Sequence, residues 1–215
     1  MYQFHTKFAG RILILGYGSI GPAILKLITR HIDVNPSSIT VMECGENFDA
    51  FIRYPHAFDI RYVKMEIVKS NYKDQLSRYL GEGDLLVNCS LNIDAESIIS
   101  WCMDNGVMQI DTSIERWVDQ TDETIPCLYD RTLLAAHTKL RKVFSGTDGK
   151  STCLVTHGAN PGYITHLTKR ALLELSALQC PSTIPTSKEE WAQLAKKLGV
   201  RQIQCSEYDS QYANI

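Results

Sequence analysis

Three glycines spaced G-x-G-x-x-G, Gly16, Gly18 and Gly21, interrupt the stretch "RILILGYGSIGPAILKLITRH". Residues 11–15 before them form a short apolar run that reads as a buried strand. After them, Ile20, Ala23, Ile24, Leu27 and Ile28 recur at helical spacing over residues 20–31. Pro22 suits the first helical turn, where its missing N–H costs no hydrogen bond. A glycine cluster between a strand and a helix restricts the fold sharply, because it is the phosphate-binding turn of a βαβ unit. Gly16 permits the tight turn, Gly18 lets a pyrophosphate approach the backbone, and Gly21 lets the helix pack close. Tyr17, Ser19 and Ile20 complete the turn. The pyrophosphate would rest on the free N–H groups at the helix start.

The rest of the chain repeats the alternation. Strands are expected at residues 38–43, 60–67, 84–90 and 107–113, with helices at 71–80 and 94–106. The second of these helices has an Asp cap and a Gly stop. Strand and helix alternating in this way give a doubly wound parallel α/β sheet, the Rossmann fold, over residues 1–150. After residue 113 the pattern changes. A polar, irregular segment leads to a helix at 133–144. A strand at 151–156 runs into a glycine-bracketed turn, "THGANPG". Helices at 163–178 and 186–199 follow, and residues 200–215 read as a last strand with a polar exit. Residues 151–215 are therefore expected to begin a second, α+β domain, completed by elements beyond Ile215.

The carboxyl ends of the strands are where such a sheet holds its ligand. Glu43 ends the second strand, 22 residues after Gly21. A carboxylate there accepts hydrogen bonds from adenosine ribose hydroxyls and repels a 2′-phosphate, and no Arg follows immediately. NAD is thus favoured over NADP, with a flavin or an unliganded turn as the alternatives. Asn88, Ser90 and Leu91 after the fourth strand, and Asp111 and Thr112 after the fifth, are further cofactor candidates. For Asn88 and Asp111, capping or turn hydrogen bonding is the competing role.

Lys plus Arg number 22 and Asp plus Glu 24, a net charge of −2 that points to no nucleic-acid or membrane-surface partner. No apolar run reaches the ~20 residues of a spanning helix, and "MYQFHTKFAG" lacks the apolar core of a signal peptide. The seven cysteines contain no C-x-x-C pair. Reduced thiols in the cytoplasm are the expectation. The formal glycosylation acceptor at Asn88 ends an apolar run and is read as a chance match. No metal cluster is expected.

In "THGANPG", two glycines and a proline fix a rigid turn, and Asn160, between Ala159 and Pro161, offers a donor and an acceptor. Such an amide suits a nicotinamide carboxamide or a substrate amine. His157 and His166 are the nearest general-base candidates, with structural roles favoured for both. Glu115 in "IDTSIERW" and Glu207 and Asp209 in "SEYDSQ" are either solvated loop acids or the anionic partners of a cationic amine.

"ILILGYGSIG", "ITVME", "IDTSIERW", "THGANPG" and "SEYDSQ", in this order, resemble the first half of the bacterial homospermidine synthases, of the saccharopine-dehydrogenase-like group. The last three carry most of the specificity. The resemblance implies a transferase that keeps NAD as a prosthetic group. Putrescine lends it a hydride, the imine loses ammonia, a second putrescine attacks, and the hydride returns to give homospermidine. Spermidine can also take part. The resemblance makes Glu207 and Asn160 the catalytic candidates. Glu115, Asn160, Glu207 and Asp209 become the amine-binding ones, and Ala159, Asn160 and Pro161 contact the cofactor. It also implies a homodimer. Family proteins are much longer, and their second half supplies a tryptophan, a glutamate and a histidine without counterparts here. Trp117 and Trp191 are not substitutes, and Trp191 is expected in the core. A saccharopine dehydrogenase-like oxidoreductase acting on an amino acid imine, or a non-catalytic NAD-binding module, are the alternatives.

Overall fold

The computed structural model describes residues 5–120, 125, 127–146, 150–179 and 184–208. The chain divides into two compact units, Met1–Thr156 and His157–Ile215.

The first unit is a parallel sheet with helices. Its strands are β2 (Ile12–Leu15), β4 (Ile39–Glu43), β5 (Arg61–Lys64), β6 (Leu85–Asn88), β7 (Met108–Asp111) and β8 (Cys153–Leu154). They lie in the order β5-β4-β2-β6-β7-β8, all neighbours parallel. The order reverses at β2, between β4 and β6. That is the switch point at which a doubly wound sheet opens a crevice for a ligand.

The central strand shows why "ILIL" has no polar alternation. Ile12 and Ile14 enter one apolar cluster with Tyr17, Leu25, Val41 and Phe51. Leu13 and Leu15 enter another with Met42, Leu86, Ile98 and Trp101. Successive side chains point to opposite faces, and both faces are covered, so every position must be apolar. Asp84 ties the edge of this core: it accepts from the Arg11 N–H at 2.6 Å, Arg11 Nε at 2.8 Å and the Gly81 N–H at 2.8 Å.

The helices of this unit are α1 (Gly21–His31), α2 (Phe48–Ile52), α3 (Tyr72–Tyr79), α4 (Ala95–Asp104) and α5 (Leu133–Val143). Asp94 caps α4 by accepting from the Ser97 N–H at 2.8 Å. Two short strands, β1 (Thr6–Lys7) and β3 (Ile32–Asp33), pair in parallel apart from the main sheet. Strand β8 falls within the segment expected to open the second domain, yet it pairs with β7 as the sixth strand.

The second unit contains α6 (Tyr163–Gln179) and α7 (Lys188–Lys197). A capping box starts α7: Ser187 accepts from the Glu190 N–H, and the Glu190 carboxylate accepts from the Ser187 N–H. We expect Ser187→Ala to lower the opening free energy of the α7 amides by about 1 kcal/mol. Hydrogen exchange measures this, with the β2 amides unchanged.

Two expectations fail in this unit. The last strand does not form: residues 201–208 are exposed and join no ladder among the described residues. Ile203 and Cys205 share a face, but a strand needs a neighbour to satisfy its backbone groups. Trp191 is only half-buried, with Lys169 Nζ 5.1 Å from its ring centroid.

Candidate functional site

The glycine turn follows β2 directly. Gly16 has φ +88°, and a Cβ there would lie 2.9 Å from the backbone of Cys89 and Ser90. Its N–H donates to the Met42 carbonyl at 2.8 Å, binding the turn to β4. At Gly21, a Cβ would lie 2.5 Å from the Gly16 carbonyl oxygen. The helix therefore seats against the turn itself. At Gly18 a Cβ would meet nothing within 4 Å. The backbone there faces open space, a cradle that a pyrophosphate fits. Ile20 precedes α1 without a side-chain cap, and the first turn of α1 has no acidic residue. The helix start is left positive and unneutralised, which suits an anion. Ser19 and Ile20 are exposed.

Tyr17 plays a different part from that of an open turn residue. Its side chain is 2% exposed, packs edge-on against Phe51 at 5.5 Å, and belongs to the core. Its N–H donates to the Glu43 carboxylate. Glu43 is itself buried and also accepts from the Gly45 N–H at 2.7 Å and the Cys44 thiol at 3.6 Å. Burial pushes its carboxyl upward, but the bonds from Tyr17, Gly45, Cys44 and Asn47 outweigh this and hold it below the usual range. Glu43 is thus a fixed anion at the carboxyl end of β4. Its place at a strand end marks Glu43 in the sequence; Cys44 and Asn47, which support it, carry no spacing signal.

Beyond β2, the ends of β6 and β7 are joined by a buried polar network. Asn88 is 0% and Asp111 1% exposed. Asn88 Nδ2 donates to Asp111 Oδ2 at 2.9 Å, and Gln109 Nε2 donates to the same oxygen at 3.2 Å. Asn88 Oδ1 accepts from the Ser90 N–H at 3.2 Å and the Ser90 hydroxyl at 2.5 Å. The Ser113 N–H donates to Asp111 Oδ1 at 3.1 Å, and the Thr112 hydroxyl donates to the Asn88 carbonyl at 3.2 Å. The side chains of Asn88 and Asp111 thus face each other and not solvent. They set the shape of the strand ends: Ser90 and Thr112 are half-buried with their hydroxyls turned onto Asn88, and Leu91 is exposed. Burial pushes the Asp111 carboxyl up to about 6, against the bonds from Asn88 and Ser113, with the Glu115 charge adding to the rise. Gln109, inside a strand and marked by no motif, buries an Oε1 without a partner.

Glu115 lines a cavity of about 520 Å³ in the first unit, with Asp94, Glu96, Arg116, Asp130, Lys139 and an aliphatic floor that includes Leu140. Glu96 pairs with Lys139 at 2.6 Å, and Arg116 Nη2 donates to the Asp130 carbonyl at 2.7 Å. Carboxylates over an apolar floor match the chemistry of an alkyl ammonium ion.

In the second unit the turn from His157 to Gly162 is closed by its own backbone. The Gly158 N–H donates to the Pro161 carbonyl at 2.9 Å, and the Tyr163 N–H donates to the Gly158 carbonyl at 2.9 Å. The Asn160–Pro161 peptide is cis. Ala159, Asn160 and Pro161 are exposed on this turn. Glu207 is exposed in the extended segment 201–208. Asp209 lies outside the described residues. The glycine turn, Glu43, Asn88, Ser90, Leu91, Asp111, Thr112 and Glu115 all belong to the first unit, and Ala159, Asn160, Pro161 and Glu207 to the second.

Residues 12–143 match the family described as the saccharopine dehydrogenase NADP binding domain. The chain belongs to that family. It is also similar to a homospermidine synthase of Blastochloris viridis, 32% identical over 100% of this chain and 45% of the relative. A homospermidine synthase of Mesorhizobium japonicum is 29% identical over 98% of this chain and 44% of the relative. The chain thus spans less than half the length of these relatives. Among solved structures, the homospermidine synthase of Legionella pneumophila in complex with NAD superposes with a TM-score of 0.72. That match is at 28% identity and covers 89% of this chain and 39% of that one. The family match covers the glycine turn and five of the six strands of its sheet, β8 lying beyond it. The similarity to the synthases extends through both units.

Proposed function

We propose that this chain is the NAD-holding part of a homospermidine synthase, transferring an aminobutyl group between two putrescines, or from spermidine, with loss of ammonia. One observation carries the reading: similarity to homospermidine synthases spans the whole chain, and that chain presents an open glycine turn beside the fixed anion Glu43. The turn and the start of α1 hold the pyrophosphate. Glu43 takes the ribose hydroxyls and repels a 2′-phosphate, which supports NAD although the family carries NADP in its description. Bound NAD would supply a reversible hydride acceptor, so the reaction needs no outside oxidant.

The chain's own residues then serve the amines. Glu115 and Glu207 neutralise ammonium ends, with Asp209 beside Glu207 in sequence. Asn160 orients the reacting amine and the carboxamide through its paired donor and acceptor. Asn88 and Asp111 keep Ser90 and Thr112 in place at the strand ends. The second unit, His157–Ile215, begins the substrate and dimerisation domain in this reading, and the working protein is a homodimer. The described cysteines, Cys44, Cys89, Cys102, Cys127, Cys153 and Cys205, are free thiols, which supports a reducing cytoplasm. No described helix is long and apolar enough to cross a membrane.

The test joins a binding and a product measurement. The chain should bind NAD at least about tenfold more tightly than NADP, a difference of about 1.4 kcal/mol. With putrescine and catalytic NAD, the natural protein should form homospermidine without accumulating NADH. Stoichiometric NADH would instead establish a net oxidoreductase and overturn the reading.

A further inference from the structure

Two histidines meet on the turn that opens the second unit. His157 stands at its start and His166 in the first turns of α6. Their rings are edge to face, with centroids 5.2 Å apart and planes at 71°. The atoms that approach are the two Nε2 nitrogens, 3.4 Å apart.

That separation has a specific chemical meaning. Two Zn–N bonds of about 2.1 Å at a tetrahedral angle place their nitrogens about 3.4 Å apart. A pair of neutral imidazoles at this distance can share one proton, and a divalent ion can take the place of that proton by accepting both lone pairs. The scaffold holds the geometry. Between the two residues, the Gly158 N–H bonds the Pro161 carbonyl at 2.9 Å and the Tyr163 N–H bonds the Gly158 carbonyl at 2.9 Å. The Ile164 N–H bonds the Ala159 carbonyl at 3.1 Å, and the Thr165 N–H bonds the Gly162 carbonyl at 3.0 Å. These four bonds fix the loop, so little chain entropy remains to be lost on chelation. A Cβ on Gly162 would run into Gly158, so the closed turn depends on glycine at that position.

We propose that His157 and His166 form a two-histidine chelate for an exchangeable divalent transition-metal ion, zinc above all. Imidazole suits zinc, and zinc accepts tetrahedral geometry without preference from its d-electrons. No group of three or more His, Cys, Asp or Glu converges on a point among the described residues. The chelate therefore has two protein donors, and water or an external donor fills the remaining positions. Such a site is weaker than a structural zinc centre and open to exchange.

The free thiols also bind zinc, so the test reads the histidines directly. The full chain at pH 7.5 is treated with diethyl pyrocarbonate, with and without zinc chloride, and each histidine is followed by peptide mass spectrometry. At ten times the dissociation constant, zinc should slow modification of His157 and His166 together by about tenfold, as mass action requires. The exposed His56, far along the sequence, should react at an unchanged rate. In the His166→Gln variant, zinc should no longer protect His157. Both histidines lie outside the buried core, so the substitution leaves the fold in place. Unchanged reactivity of the pair at millimolar zinc overturns the proposal, as does protection of His157 that survives His166→Gln.

Discussion

Gly18→Ala is expected to leave stability within about 0.5 kcal/mol of the parent while cutting NAD affinity at least about tenfold. Gly16→Ala should cost about 3 kcal/mol of stability. The two outcomes come from one turn and differ for a geometric reason. At Gly18 a methyl meets no protein atom within 4 Å, so the fold does not register it. It stands instead where a pyrophosphate would approach the backbone. At Gly16 the backbone has φ +88°, which costs an L residue about 1–2 kcal/mol. The same methyl would sit 2.9 Å from the Cys89 and Ser90 backbone, and forcing backbone apart adds about 1–3 kcal/mol. Urea midpoints and NAD titrations of the two variants separate the effects. If Gly18→Ala binds NAD as the parent does, the turn holds something other than a dinucleotide phosphate.

The sequence revealed most where a residue's role is local or where both faces of an element are buried. "ILIL" and "LLVN" read as strands because each residue is apolar on whichever face it lands, save the last of the second. Asp94 reads as a cap because a cap acts within three residues. The glycine roles at 16 and 21 followed from the turn alone. What stayed hidden depends on partners distant in sequence. Tyr17 looks like a turn residue, but Phe51 and its neighbours draw its ring into the core. β8 was readable as a strand, but not as the sixth member of this sheet, because its assignment depends on the edge of β7. Residues 201–208 join no ladder among the described residues, and no local pattern reports a missing neighbour. Asn88 and Asp111 read as cofactor candidates with capping or turn bonding as the competing role, and their 2.9 Å bond to each other depends on a pairing of β6 with β7 that spacing does not reveal.

That bond sits in a network whose charge is costly, and its pH dependence can be predicted. The Asp111 carboxyl titrates at about 6 in the folded chain against an ordinary value of 3.8, because burial disfavours its anion more than its donors favour it. Below about pH 4, the folded and unfolded chains both carry the proton and no penalty arises. Between about pH 4 and 6 the unfolded chain releases it first, so the folded state binds more protons and stability falls as pH rises. Above about pH 6 the loss is complete, and an interval of about two pH units between the folded and unfolded titrations corresponds to about 3 kcal/mol. Asp111→Asn removes the titration but must set its amide N–H₂ either against the Asn88 and Gln109 donors or against the Ser113 N–H, a clash that costs about 1–3 kcal/mol. The variant should therefore be less stable than the parent at about pH 4. By about pH 7 the difference should move about 3 kcal/mol in its favour. Urea unfolding of both proteins across that range measures the gap, and other carboxylates cancel because they are common to both. A constant gap would falsify the assignment of a costly buried charge to Asp111. A shifting one makes the β6–β7 strand ends a structural element whose order is paid for in ionisation.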